Sequence, residues 1–168
     1  MCNEIGNFAF YACTSLTSIG LPSCVSIGGS AFYSCASLSS IDLPACTKIG
    51  FMAFFDCTSL TSVNLPVCSS LGNYAFENCT SLTLVNFPVC NYIGPFAFSG
   101  CTSLTSLTIG YSSVAKLSNI NAFISTPMSV STLTGSFGSI YVPASLVNAY
   151  KSATNWTVYA DRITAIVE

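Results

Sequence analysis

Cysteine is the residue type with the most chemical potential in this sequence, and its ten copies form two evenly spaced series. The first series is Cys2, Cys24, Cys46, Cys68 and Cys90. The second series is Cys13, Cys35, Cys57, Cys79 and Cys101. Thiols in this number could form disulfides, bind a soft metal ion or act as nucleophiles.

The regular spacing of the cysteines favours none of these chemistries. Equivalent residues on successive turns of a repeat protein are spaced like neighbouring strands, about 4.7–4.9 Å apart, with parallel Cβ vectors. A disulfide instead needs Cβ atoms about 3.5–4.5 Å apart and turned toward each other. A metal site is not indicated, because the sequence has no histidine and no C-x-x-C motif. We predict two columns of buried thiols, with terminal Cys2 as the accessible exception.

Catalysis is not predicted from the inventory of side chains. Without histidine there is no Ser-His or Cys-His nucleophile pair. The six acidic residues show no spacing that repeats or pairs, and the glycines are spread along the chain rather than gathered in a phosphate-binding loop. We therefore assign no catalytic, cofactor-binding or metal-ligating residue, and we predict a protein that is not an enzyme and uses no cofactor.

Five blocks of 22 residues fill the first two-thirds of the chain. Their consensus is L-T-S-I-x-L-P-x-C-x-x-I-G-x-x-A-F-x-x-C-T-S, and they begin at Leu16, Leu38, Leu60, Leu82 and Leu104. A fixed period of this length predicts a solenoid, in which each block is one coil and buries its apolar side against its neighbours. The first nine letters of the block, residues 16–24, match the leucine-rich-repeat signature with cysteine in the Asn/Cys position.

Each coil is predicted to contain one short strand and a helical or irregular convex side. Leu16, Ile19 and Leu21 enter the core from the strand, which Pro22 ends because proline has no N–H to donate. The A-F-x-x-C segment, residues 31–35 in one block, is predicted to form one or two helical turns that face the core. The fold class is therefore α/β, a leucine-rich-repeat solenoid of about five coils with one parallel strand in each coil.

The repeated run G-x-x-A-F-x-x-C-x-S-L-x-S-I-x-L-P resembles the BspA-like leucine-rich repeats of bacterial surface proteins. The resemblance covers roughly residues 2–110, and residues 140–151 are similar to the tail that often follows such repeats. It implies a secreted or surface-anchored protein of bacteria or some protists, often an adhesin, and similar modules occur in prophage-encoded proteins. It implies no catalytic residue.

The repeat pattern weakens after Ile109 and divides the chain into two predicted regions. Residues 1–110 are the leucine-rich-repeat solenoid, and residues 111–168 are irregular terminal coils followed by a C-terminal cap. In the cap, proline suits the first turn of a short helix predicted over residues 144–152, and Trp156 and Tyr159 are predicted to seal the last coil. The alternative is that this region is a separate ligand-binding module.

Low charge excludes several classes of partner. Only 6% of residues are charged, the formal net charge is −2, and four residues are basic. Nucleic acid binding needs clustered Lys and Arg, so no nucleic acid partner is predicted. No run approaches the ~20 apolar residues of a membrane helix, so no membrane insertion is predicted. Weak charge repulsion leaves self-association open.

Outward-facing strand positions are the predicted binding residues, because side chains alternate along a strand. This concave face is neutral and rich in hydroxyl groups, and it offers no aromatic platform for a sugar ring. Its predicted binding residues are Ser18, Ser40, Asp42, Ser62, Asn64, Leu84, Asn86, Ser106 and Thr108. A second set of candidates, on the variable turn, is Phe8, Tyr11, Tyr33, Phe51, Met52, Phe55, Tyr74 and Tyr92. Several exposed in a row would form an apolar stripe of the kind that marks an interface.

The predicted function is a non-catalytic surface binding or adhesion module that presents a solenoid face to a host or matrix protein or to a glycan. The alternative is structural: a rigid spacer or self-assembling fibre unit of a surface or phage-related protein. The chain begins inside a coil, without a leader or a polar cap. We therefore expect it to be part of a longer secreted protein, located outside the cell or on the cell surface.

Overall fold

Each 22-residue block contributes two short strands, one at the predicted S-I segment and a second at the I-G segment. The structure, a computed structural model, describes residues 3–110, 115–117, 120–123, 126 and 139–166. The S-I strands form a seven-stranded sheet with two C-terminal strands: β2 (Ser18–Gly20), β4 (Ser40–Asp42), β6 (Ser62–Asn64), β8 (Leu84–Phe87), β10 (Ser106–Ile109), β12 (Ser139–Val142) and β13 (Ile163–Ala165). The I-G strands form a six-stranded sheet: β1 (Glu4–Ile5), β3 (Ser26–Ile27), β5 (Lys48–Ile49), β7 (Ser70–Leu71), β9 (Tyr92–Ile93) and β11 (Lys116–Leu117).

All strand pairs in both sheets are parallel, and those among β1 to β10 join equivalent residues of successive coils. Ile27 pairs with Ile49 in the six-stranded sheet, and Ile19 pairs with Ile41 in the seven-stranded sheet, in each case 22 residues apart. This register confirms the predicted solenoid with a parallel strand in every coil. The second strand of each coil was not predicted.

The A-F-x-x-C segments form successions of turns instead of the predicted helical turns. Ser30 precedes one such segment and Ser34 lies within it, and both have φ values of 54°, in the left-handed region. The N–H of Phe32, between them, donates to the carbonyl of Ala53 in the next coil at 2.8 Å. A helix would direct that N–H to its own preceding turn. Hydrogen bonding between coils therefore replaces hydrogen bonding along a helix.

Phenylalanine rings form a continuous stack through the core, with centroid separations of 5.0 to 5.6 Å and nearly parallel planes. The rings belong to Phe10, Phe32, Phe54, Phe76, Phe98 and Phe123. Phe123 lies in a 3-10 turn, Ile120–Phe123, and β11 pairs with β9. The coil pattern thus continues past residue 110, although most of residues 111–138 lie outside the described part of the chain.

The helix predicted over residues 144–152 is confirmed as a 3-10 turn, Ala144–Leu146, followed by an α-helix, α1 (Val147–Ser152). A further 3-10 turn, Thr157–Arg162, leads into β13, which pairs in parallel with β12. This segment therefore packs on the end of the solenoid and adds the edge strand to the seven-stranded sheet.

Two buried aromatic side chains attach the C-terminal segment to the last coil through a single residue, Ala115. The indole Nε1 of Trp156 donates to the Ala115 carbonyl at 2.7 Å, and the Ala115 N–H donates to the Tyr150 hydroxyl at 2.9 Å. Tyr159 meets Phe123 edge-on, with 5.3 Å between centroids. Burial raises the pKa of Tyr150 and of Tyr159 to about 12, so both hydroxyls stay neutral. The predicted contact of Trp156 and Tyr159 with the last coil is confirmed.

The glycine of the I-G segment allows successive coils to approach closely at one point. A Cβ atom at Gly72 would lie 2.6 Å from the carbonyl carbon of Gly50 and 2.7 Å from its oxygen. A Cβ atom at Gly50 would meet Gly28 in the same way, at 2.7 Å. The Gly72 N–H donates to the Ile49 carbonyl at 2.9 Å, so this backbone is held in place. A side chain in this column would push the coils apart.

We expect Gly72→Ala to destabilise the protein by about 2 kcal/mol, within the usual range for inserting a methyl group into a packed site. The matched control is Gly20→Ala, because a Cβ at Gly20 has no heavy atom within 4 Å. That control should change the free energy of unfolding by less than about 0.5 kcal/mol. Urea unfolding followed by circular dichroism measures both variants. Equal stabilities would contradict the close-packing role of the glycine column.

Candidate binding site

The buried cysteines form two ladders in which each thiol donates a hydrogen bond to a backbone carbonyl. In one ladder the acceptor is a phenylalanine of the preceding coil, as in Cys57 Sγ to Phe32 O at 3.1 Å. In the other the acceptor lies two residues further along the chain, as in Cys46 Sγ to Lys48 O at 3.3 Å. The burial predicted for the thiols is confirmed for Cys24, Cys35, Cys46, Cys57, Cys68, Cys79, Cys90 and Cys101.

The environment of the ladders disfavours the reactive thiolate. Burial raises the pKa of the Cys57 and Cys90 thiols above its ordinary value. Burial likewise raises the pKa of the Cys79 thiol. Because the thiolate is the form that attacks electrophiles and binds metals, these side chains act as core packing. Cys13, in the first coil, is exposed.

We expect iodoacetamide to modify Cys13 in the native protein and to reach the eight buried thiols only after denaturation, because burial blocks access and disfavours the thiolate. Intact-mass and peptide mass spectrometry measure the modified sites, and Cys13→Ser is the control that removes the native signal. Modification of Cys57 or Cys79 at the rate of Cys13 would contradict this account. Cys2 lies outside the described residues, and its early labelling stays a prediction.

The nine residues predicted for the concave face all lie on strands β2, β4, β6, β8 and β10 of the seven-stranded sheet, exposed or half-buried. Several polar groups on or beside this face bind one another between coils. Asn86 Nδ2 donates to Asn64 Oδ1 at 3.0 Å, and Thr61 Oγ1 donates to the Ser39 carbonyl at 3.3 Å. These bonds reduce the number of groups that remain for a ligand. A binding role for this face stays a prediction.

Aromatic side chains on the turns form a second surface, which we call the aromatic edge: Phe8, Tyr11, Tyr33, Phe51, Phe55, Tyr74 and Phe96. Tyr33 stacks between Tyr11 and Phe55 at 4.9 and 4.8 Å, and Tyr74 stacks on Phe96 at 5.0 Å. Phe8 is 63% exposed, and Tyr11 and Phe51 are each 50% exposed. The other four side chains of the aromatic edge are half-buried, so a continuous exposed stripe along all the coils stays a prediction.

The structure revises the membership of the predicted turn set. Tyr92 lies in β9 and is half-buried, so it belongs to the six-stranded sheet. Met52 lies on the turn and is half-buried like several of the rings, and it is outside the aromatic edge because it is not aromatic. Phe96 was missed, although it stands 22 residues after Tyr74, and this spacing was the signal that could have found it.

Several aromatic residues of this edge hold a backbone conformation that glycine would adopt more easily. Phe8, Tyr74 and Phe96 have φ values of 60°, 59° and 57°. The left-handed region costs a non-glycine residue roughly 1–2 kcal/mol. Ser30 and Met52 hold the same position in the other coils with φ values of 54° and 53°, so the turn sets this conformation whether or not the residue is aromatic.

A cavity of about 370 Å³ opens in the aromatic edge. Its lining residues are Asn7, Phe8, Gly29, Ser30 and Phe51. This volume lies within the ~300–1,000 Å³ range of small-molecule pockets. No charged side chain is among the lining residues, so the cavity is suited to a neutral ligand.

The BspA type leucine rich repeat region model matches residues 3–129 in six copies. The chain belongs to this family. This match confirms the resemblance, seen in the sequence, to the BspA-like repeats of bacterial surface proteins. This BspA-type chain has no significant match among curated proteins.

Solved structures of bacterial leucine-rich-repeat proteins are similar to this BspA-type chain. One is the T. pallidum leucine rich repeat protein TpLRR, with 35% identity and a TM-score of 0.59 over 63% of this chain and 50% of that one. Another is a leucine rich cell surface protein from Faecalibacterium prausnitzii A2-165, with 34% identity and a TM-score of 0.59 over 67% of this chain and 30% of that one. A Bacteroides ovatus leucine-rich repeat protein, at 23% identity and a TM-score of 0.51, shares the fold.

The BspA-type chain spans half the length of the T. pallidum protein and 30% of the F. prausnitzii protein. Among the residues that the structure describes, no helix has the length and apolar character needed to cross a membrane.

Proposed function

We propose that this chain is a non-catalytic binding or adhesion module of a bacterial cell-surface protein, and that its partner is a host or matrix protein or a glycan. The observation that carries the proposal is the aromatic edge. It includes three side chains with at least half of their surface exposed: Phe8 and Tyr11 on the first coil and Phe51 on the third. Exposed apolar patches of this kind mark interaction sites.

Aromatic residues on a rigid frame are well suited to binding. Tyrosine and tryptophan dominate the energetics of many protein interfaces, and tyrosine loses little conformational entropy when it is buried. Tyr33 is already fixed between Tyr11 and Phe55, so little further ordering is needed when a partner covers it. The aromatic edge thus offers apolar area that is preorganised for a partner.

We also propose that the protein is extracellular or located on the cell surface. The family and the F. prausnitzii relative, which is described as a cell surface protein, support this location. The side-chain inventory supports a binding role without catalysis, because a chain without histidine has no ordinary nucleophile–base pair.

We expect the purified chain, immobilised on a sensor surface, to bind at least one member of a panel of mammalian extracellular-matrix proteins and glycans. The double variant Tyr11→Ala, Phe51→Ala should weaken that binding at least tenfold, which corresponds to about 1.4 kcal/mol. Both residues are half-exposed, so the fold should tolerate the change, as circular dichroism will check.

Val67→Ala is the matched control, because Val67 is an exposed apolar residue outside the aromatic edge. Its binding should equal that of the native chain. If Leu84→Ser on the concave face abolishes binding and the aromatic double variant does not, the binding surface is the seven-stranded sheet. Absence of binding to every member of the panel would contradict the binding-module proposal itself.

A further inference from the structure

We propose that the cavity between Phe8 and Phe51 is a subsite for one pyranose ring of a neutral glycan. This inference rests on the proposed function, because it names the ligand class for one part of the aromatic edge. Four features of the cavity support it: its origin between coils, the hydrogen bonds that hold its sides in place, its size and the polar groups that line it.

The cavity arises at two neighbouring columns in which the second coil has small residues. In one column Gly29 precedes Phe51, and in the other Ser30 follows Phe8. Phe51 of the third coil and Phe8 of the first coil stand on either side of the second coil, which has Gly29 and Ser30 at the corresponding positions. A repeat protein with identical coils would fill this space with a third side chain. The departure from the repeat at Gly29 and Ser30 therefore creates a gap one coil wide.

Backbone hydrogen bonds join Phe8 and Phe51, at the two sides of the cavity, to Gly29 and Ser30 between them. The Phe8 N–H donates to the Gly29 carbonyl at 3.0 Å, and the Ser30 N–H donates to the Phe51 carbonyl at 2.8 Å. The Gly29 N–H donates to Asn7 Oδ1 at 2.7 Å. The backbone positions of both rings are thus fixed before any ligand arrives, which lowers the entropy cost of binding.

The two rings are not covered by face-to-face stacking with their aromatic neighbours. Phe8 meets Tyr11 at a tilt of 57°, with 5.9 Å between ring centroids. Phe51 meets Tyr74 edge-on, at 82° and 5.8 Å. Tyr33 differs, because it stacks between two parallel rings. Phe8 and Phe51 therefore keep ring surface that a ligand can contact.

The cavity, about 370 Å³ in volume, is large enough to hold one sugar ring. A pyranose directs C–H bonds to both of its faces, and these bonds can pack against the exposed aromatic side chains of Phe8 and Phe51.

The polar groups of the cavity match hydroxyl groups. Because Asn7 Oδ1 accepts from Gly29, the amide nitrogen of Asn7 is oriented and can donate to a ligand. The Ser30 hydroxyl can both donate and accept. A proline ring is as thick as a pyranose, but its peptide offers mainly carbonyl acceptors. A sugar, whose hydroxyls donate as well as accept, uses both Asn7 and Ser30.

The test is saturation-transfer-difference NMR on the 168-residue chain. The probes are the methyl pyranosides of galactose, N-acetylglucosamine, mannose and fucose, each alone at millimolar concentration, and an acetylated proline hexamer as the competing ligand. We expect transfer to the ring C–H protons of at least one glycoside, with a Kd on the order of 1 mM for a ligand of this small size. The hexamer should give no comparable signal.

Gly29→Phe is the decisive variant, because it fills the cavity with the residue that the third coil carries at the same position. A Cβ at Gly29 has only ordinary contacts of 3.5 Å with Asn7 Oδ1 and the Phe51 carbonyl, so the fold should accept it. The glycoside signal should fall at least tenfold. Gly29→Ala is the matched control, since a methyl group leaves most of the cavity open and should preserve the signal.

The alternative outcomes separate this inference from the proposed function. Transfer to the proline hexamer alone, lost in Gly29→Phe, would make the cavity a peptide subsite and overturn the sugar assignment. Glycoside transfer that Gly29→Phe leaves unchanged would overturn the location. No glycoside transfer, while the native chain still binds a matrix protein on the sensor, would overturn the subsite and leave the binding module standing. Failure in both assays would overturn both proposals.

Discussion

The whole structure depends on hydrogen bonding in register between coils. The six-stranded sheet uses donors such as Gly50, whose N–H reaches Ile27 O in the preceding coil at 2.9 Å, whereas the turns use donors such as Phe32, which reaches Ala53 O in the following coil at 2.8 Å. Each coil therefore binds both neighbours through its backbone. Most of its strands have only two or three residues and could not persist alone, so stability belongs to the stack.

Register places equivalent residues directly above one another, and this constrains what each column can contain. Thiols, phenylalanine rings and glycines can occupy the same position in successive coils, because each of them packs against an identical residue without repulsion. Carboxylates do not, since like charges in opposing positions repel. Asp56 is followed in its column by Asn78, which donates to it at 2.9 Å. Glu77, whose pKa burial raises, accepts from Ser99 at 3.2 Å. These columns help to explain why only 6% of the residues are charged.

Columns that have the same residue type in every coil form the core, and columns in which the residue type varies form the surface. The alanine–phenylalanine and cysteine columns are buried and nearly invariant in type. The turn columns vary: Phe8 is followed in its column by Ser30, Gly29 is followed in its column by Phe51, and the cavity lies between Phe8 and Phe51. A rigid frame with variable turns lets one fold present different ligand sites without repacking its core.

The sequence by itself determined the period, the S-I strands, the buried columns such as Phe54 and Cys57, and the helix that starts after Pro143, because a strict repeat and apolar spacing are local signals. The tertiary structure decided the rest. The I-G strands have two residues and therefore no alternation to detect. Ser30 has a left-handed φ because hydrogen bonds between coils fix the turn. A serine in the sequence does not by itself predict that conformation. The cavity exists only because residues 22 and 43 apart become neighbours, and that proximity is created by stacking.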